Sequence, residues 1–342
     1  MTSVLRVIVP AAVAVLLLTA GASAGLAKQA PVAFSCGQVI TQSIHLRNDL
    51  IDCPGAGLVV GAGHIRIDLA GHTIDGVNNP AADGIDNTGG YDHVVIRRGT
   101  IQQFHQGLHL VNASWNRLDR LKVQQTFRGI ELGSSDHTKI FRNRVSANFD
   151  GIDLVGSDQN RISQNRVFGN TASAIVLITG SDRNRVDHNV ARDNASWGIT
   201  SDFSANNVYD NNRVLRNNIA GIEPFHGTNI RIIHNTVAGN HIGIELFTTT
   251  GSVIRRNWVR TSTGDGIHSF TGSTGNRFAG NTSNRNGAHG IDVADPGNTI
   301  RRNRANRNGN LGIFAAAGNS DGGGNTAHRN GNAAQCVGVT CH

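Results

Sequence analysis

A chain of 342 residues with 42 glycines, 5% aromatics, 16% charged residues and one methionine is poor material for a single layered core, which needs more large apolar side chains. The composition suits stacked repeats with small residues at the corners and a thin aliphatic interior. The net charge of +7 favours acidic partners. Arginine is nevertheless spread over many repeats, often beside asparagine, where it also serves to keep a long rod soluble.

The N-terminus reads as a secretory signal over residues 1–24. Arg6 supplies the positive start, Val7 to Thr19 is nearly all apolar, and Ala22-Ser23-Ala24 is a small-x-small cleavage pattern, with Ala30 as a later alternative. The apolar run is short for a membrane span. We therefore expect export, an extracellular location and no stable membrane insertion after cleavage. Residues 31–83 form an entry cap in which Cys36 to Val60 alternates weakly and His64 to Leu69 alternates well. The four cysteines fall in two pairs, Cys36 with Cys53 and Cys336 with Cys341. An even count in an exported chain points to disulfides. If the repeats stack, roughly 11 coils at about 4.8 Å separate the two ends far beyond disulfide reach, so each bridge should staple its own terminus, the second within a cap at 331–342.

Residues 84–330 carry a repeated phrase, seen at its clearest in Gly221-Ile222-Glu223-Pro224-Phe225, Gly243-Ile244-Glu245-Leu246-Phe247 and Gly266-Ile267-His268-Ser269-Phe270. Its third position is Asp86, His109, Glu131, Asp153, Val176, Thr200, Glu223, Glu245, His268, Asp292 and Phe314, with gaps of 22 to 24 residues. Two asparagine series run in phase. One goes from Asn143 through Asn165, Asn189, Asn212, Asn235, Asn257, Asn281 and Asn303 to Asn325. The other runs from Asn148 to Asn330 with Ser262 as its exception. Asparagine tolerates left-handed backbone and bonds backbone groups, so stacked turns are the expected use. Aliphatics such as Ile140, Ile162 and Val186 precede the first series by three residues, and Val145, Val167 and Val214 follow it by two. Each unit thus holds three short alternating segments with no room for a helix of ordinary length, and the leucine-rich skeleton of similar period is absent. The expected fold is all-β: one right-handed parallel β-helix of about 11 coils, three short strands per coil.

The Gly-Ile-x-Leu phrase (Gly129-Ile130-Glu131-Leu132, Gly151-Ile152-Asp153-Leu154), the Asn-x-Val turns and Asp68-Leu69-Ala70-Gly71-His72-Thr73-Ile74 resemble the pectin-lyase-like right-handed β-helix proteins, in particular the short-repeat NosD-type and carbohydrate-active group. The C-terminal Cys336-Val337-Gly338-Val339-Thr340-Cys341 is similar to the ending of secreted actinobacterial members. The resemblance implies polysaccharide lyases, hydrolases and uronate epimerases, a copper-site assembly factor, or chains without activity.

Within a strand, alternation should turn Ile222 and Pro224 inward and Glu223 and Phe225 outward. Stacking then places Glu223, Glu245 and His268 in one outward column as candidate catalytic groups. Two carboxylates at strand spacing cannot both ionise freely, so one should serve as an acid, and the imidazole titrates near neutrality. Phe225, Phe247 and Phe270 offer a ring-stacking edge, with Asp202, His226 and Asp292 as further substrate contacts. The competing reading is that polar residues simply face water, with the phenylalanines buried at the strand ends. His137, His188, His234 and His289 lie near turns and read as structural. The expected partner is a polysaccharide, anionic by the charge argument, bound by a monomer without nucleic acid. No metal is expected, although a calcium-dependent lyase could be assembled from Asp202, Glu223 and Glu245 with Arg255 or Arg256. The Asp-Pro-His-Asp motif of the family's epimerases and the motifs of its galacturonases are missing. The functional expectation is a lyase or epimerase on an acidic extracellular polysaccharide, with His268 or Glu245 as base and an arginine neutralising the uronate, or less readily a Glu223/Glu245 hydrolase. A non-catalytic glycan-binding or matrix protein is the alternative, and NosD-like copper assembly a remote one because soft donors are lacking.

Overall fold

The computed structural model describes residues 33–342, so the signal segment expected at 1–24 lies outside the described residues. Short alternating runs between polar turns have one way to bury their apolar face: to extend, bend and stack on the coil before. The described residues contain strands and no helix, and the strand pairings are parallel throughout. Fourteen strands, from Gln38–Ile40 to Cys336–Val337, form one long sheet. The remaining strands form two further ladders, which are continuous where Arg117–Gln124 pairs with both Lys139–Phe141 and Arg144–Ser146. The architecture is a parallel β-helix of about 13 turns. The count of about 11 fell short because the cap strands Gln38–Ile40, Leu58–Val60 and Cys336–Val337 join the sheet without the repeated phrase.

A thin aliphatic core runs the length of the solenoid, including Ile222, Ile244, Leu246 and Ile267 from the long sheet and Ile232, Ile254, Val237 and Val259 from the other two ladders. The disulfides fall as expected. Cys36–Cys53 spans 5.4 Å between Cα atoms and Cys336–Cys341 spans 6.2 Å.

The asparagines do something other than form the turn. The left-handed residue is the one before each of them: Arg142 (φ 57°), Gln164 (58°), His188 (58°) and Asn211 (54°) precede Asn143, Asn165, Asn189 and Asn212. The asparagine itself points inward and is buried. Its Oδ1 accepts from the coil before; the backbone N–H of Asn143 donates to Asn165 at 2.9 Å and its Nδ2 donates to the same oxygen at 3.1 Å. Its Nδ2 also donates to a backbone carbonyl, from Asn189 to Ile162 at 2.8 Å. Each asparagine thereby satisfies corner groups that the strand ladders cannot reach. A third such ladder, which the sequence reading passed over, links Asn160 to Asn184 and Asn184 to Asn207 at 2.7 Å.

Two predictions follow from this bonding. Asn189→Ala leaves buried donors without an acceptor and should cost about 1–3 kcal/mol in urea unfolding. Ser262, whose buried hydroxyl has no partner, interrupts the second ladder between Asn240 and Asn286. Ser262→Asn should raise stability by about 1 kcal/mol in the same assay.

Candidate active site on the long sheet

In-register stacking turns the repeated phrase into columns. Thr200 pairs with Glu223, Glu245 with His268 and His268 with Asp292. Ile222 pairs with Ile244, which sets Glu223 beside Glu245. Asp202, Phe225, Phe247 and Phe270 form the adjoining column. The phenylalanines belong to the outer face and are half-buried, not part of the core. Phe225 and Phe247 stack at 4.3 Å, Phe247 meets Phe270 edge-on at 5.2 Å, and His268 stacks on Phe270 at 4.3 Å. The expected outer aromatic edge exists.

Glu223 and Glu245 face outward, but the expectation of a solvated column is corrected: they are 5% and 8% exposed. Large neighbours in adjoining columns cover short strand positions, so an outward residue need not be a wet one. Burial, and then the charge of Glu245, push the Glu223 carboxyl up to about 7, opposed by the indole of Trp197. One Glu223 oxygen has no hydrogen-bond partner. His268 Nδ1 lies 3.7 Å from Glu245 Oε1, and its Nε2 lies 3.9 Å from Asp292 Oδ2. Burial works against its charged form, but Glu245, Asp292 and Asp265 outweigh it and hold the imidazole above its ordinary value. Asp292 is raised by burial against the pull of His268. The result is a carboxylic acid poised near neutrality, a second carboxylate and an imidazole, all beside aromatic faces.

The other expected contacts divide. Asp202 accepts from His226 Nδ1 at 2.8 Å, and His226 stacks on Phe203 at 4.3 Å. Phe203, 64% exposed, extends the aromatic edge and was missed because it lies one residue outside the repeated phrase. Arg255 and Arg256, considered as the cation for a uronate, are placed elsewhere: Val253–Arg255 is a strand of a different ladder, and Arg256 is its corner. Among the described residues, the ion-pair partners of His268 are Glu245 and Asp292.

A second constellation on the same sheet was also missed. Arg128 Nε lies 2.7 Å from Asp153, and Arg128 donates to Glu131 at 3.1 Å. His109 pairs with Asp83 at 2.8 Å. Burial, reinforced by Asp150 and opposed by Arg128, pushes Asp153 up to about 8. Phe127 and Phe149 stack beside it at 4.9 Å. The signal was present: the two phenylalanines recur 22 residues apart, each two residues before the glycine of the phrase.

Among the described residues, the group able to hold a metal is Asp265, His289 and Asp292, whose ligand atoms lie within 4.8 Å of one another. Two carboxylates and one imidazole fall short of the roughly six to eight oxygens calcium takes. With no free cysteine and no methionine among the described residues, the soft donors suited to copper are absent as well. The residues do not fit a copper centre.

The family model described as periplasmic copper-binding protein (NosD) matches residues 86–257 and 220–339. No curated protein matches the sequence. Among solved structures, the chain is similar to the A-module of the Azotobacter vinelandii mannuronan C-5 epimerase AlgE4, at 15% identity and TM-score 0.62, covering 78% of this chain and 84% of that one. It is similar to the periplasmic alginate epimerase AlgG at 12% identity and TM-score 0.53, with 87% and 73% covered. It is also similar to the catalytic unit of a GH87 α-1,3-glucanase from Streptomyces thermodiastaticus, at 15% identity and TM-score 0.56, with 86% and 62% covered. At these identities the likeness is one of fold.

Because Glu223 binds its proton more tightly folded than unfolded, its contribution to stability is present below its ordinary 4.5 and is lost as pH rises through about 7. Glu223→Gln should therefore flatten the pH dependence of unfolding free energy across that window. In carboxyl-resolved NMR, Glu245→Gln should move the Glu223 midpoint down.

Proposed function

The chain belongs to the NosD family, and we propose that within it this is an exported carbohydrate-active protein that lays a glycan along the Phe203–Phe225–Phe247–Phe270 edge and moves protons at Glu223, Glu245 and His268. The observation that carries this is a carboxyl held near 7 beside a second carboxylate and an imidazole, next to aromatic rings. A solenoid face suits a linear polymer because both share one axis. Paired cysteines support an oxidising compartment and hence export.

Within this class, the charge of the site favours hydrolysis. Glu223, protonated near neutral pH, donates to the glycosidic oxygen. Glu245, on the next strand at about 4.8 Å, stabilises or attacks the developing cation, a spacing near the roughly 5 Å of retaining glycosidases. Water then attacks the sugar carbon and releases Glu245, giving its proton to the ionised Glu223 and so restoring the acid, while His268, 3.7 Å from Glu245, holds that carboxylate in place. Elimination or epimerisation of an acidic polymer needs a cation facing the uronate, and His268 already faces two carboxylates. What supports that second reading is the fold shared with the mannuronan and alginate epimerases. A calcium requirement belongs to the same reading, and a monomer suits either.

The test is a panel of uncharged and uronic-acid polymers, followed by reducing-end release, by ultraviolet absorbance for unsaturated product and by NMR for epimers. Reducing ends from an uncharged polymer are expected, with Glu223→Gln lowering kcat about 100-fold or more and Phe247→Ala raising KM up to about ten-fold. Unsaturated or epimerised product assigns the second reading instead. Binding that Phe247→Ala abolishes, with no turnover of any polymer, reduces the protein to a glycan-binding module and removes the catalytic assignment.

A further inference from the structure

The corner residue before each member of the second asparagine series is not fixed, and Asp193 and Arg216 are among its occupants. Ala147, Gly169, Gly239 and Thr261 occupy it in some coils, all in the left-handed backbone region. In three successive C-terminal coils it is arginine: Arg285 (φ 57°), Arg307 (56°) and Arg329 (59°). Nothing about the turn calls for arginine there, since this backbone favours glycine and asparagine. Like charges one coil apart, at about 4.8 Å, repel one another unless a counter-charge is supplied.

Arg260 and Arg304 converge on the same place from the adjoining strands, and the five guanidinium groups line a concavity of about 810 Å³ with Trp258 at one end. No acidic side chain lines it, and none of the five arginines forms an ion pair among the described residues. The concavity upstream, lined by Arg144, Arg166, Arg192, Arg213 and Arg216, is partly neutralised, because Asp193 pairs with Arg192 and Arg216. Trp258 is 49% exposed, with Arg260 lying 5.0 Å over its ring. The Nε of Arg260 is buried without a hydrogen-bond partner. The groove therefore holds unpaired positive charge, an unsatisfied donor and a half-exposed indole.

We propose that this groove binds an acidic glycan, its carboxylate or sulfate groups held by the corner arginines and one sugar ring stacked on Trp258. The guanidinium fork matches either anion in bidentate geometry. Charge density favours a glycan over a nucleic acid. The corner row offers one arginine per coil of about 4.8 Å, matching a polymer with about one charge per sugar, whereas duplex DNA carries one charge per roughly 1.7 Å. The site is separate from the acid-rich column, so the basic character of the chain and the acidity of its candidate active site no longer conflict. The proposal does not depend on any catalytic activity.

The exported chain is titrated calorimetrically with polygalacturonate, dextran sulfate, uncharged dextran and duplex DNA. Binding to one or both acidic glycans is expected, weakening as salt rises, with none to dextran. The triple variant Arg285→Asn, Arg307→Asn, Arg329→Asn keeps residues tolerant of the corner backbone and should lower affinity at least about ten-fold with an unchanged thermal midpoint. Arg304→Gln, on a strand, should weaken binding in the same direction. Trp258→Phe should abolish the ligand-induced fluorescence change, and Arg142→Asn, at a corner of the first asparagine series, should leave affinity unaltered. Equal binding by the triple variant and the parent chain, or tighter binding of DNA than of either acidic glycan, overturns the proposal.

Discussion

The structure depends on the inward-pointing asparagine at each corner. A parallel solenoid bends three times per coil, and each bend takes backbone N–H and carbonyl groups out of strand register while leaving them in a dry interior. One side chain has both a donor and an acceptor at the right length to serve the coils on either side of it. Asn143, Asn165, Asn189 and Asn212 do so in an unbroken chain of hydrogen bonds. The aliphatic core contributes most of the driving force. The asparagine ladders decide that it is buried by coils of one length in one register.

That register also produces the chemistry. Once coils stack without slippage, a carboxylate at the same position of two successive repeats must lie a strand's width from its neighbour, whatever its ionisation prefers. Glu223 is raised by burial and then by Glu245 in this way, while Asp153 is raised by burial, by Asp150 of its own strand and less by Glu131 of the coil before. In the upstream cluster Arg128 compensates the crowding, and in the downstream one His268 does so more weakly. In both clusters the tension persists as a retained proton, at Asp153 as well as at Glu223, and this is the state an acid catalyst requires.

Most of the fold was legible in the sequence because periodicity is a one-dimensional property. The column from Asp86 to Phe314 appears in the structure in the register its spacing implied. Conformation at the corner was less legible. Asparagine is at home in left-handed backbone, yet here that role passes to its predecessor, because a side chain bonding inward is worth more than one easing a turn. Burial of Glu223 escaped prediction for a related reason: alternation tells which side of a sheet a residue takes and not how tall its neighbours are. The arginine groove was hidden because its members are 22 residues apart, so the sequence displayed them as a scatter and not as a patch.

The terminal disulfides acquire a different meaning once the coils are seen as interchangeable. A stack of near-identical parallel rungs presents, at each end, a row of unpaired backbone groups able to accept another rung from any chain. Cys36–Cys53 ties down the first rung and Cys336–Cys341 folds the last few residues into a loop closed on itself. Beyond holding the ends in place, each bridge keeps its rung from peeling away and offering that row to another chain.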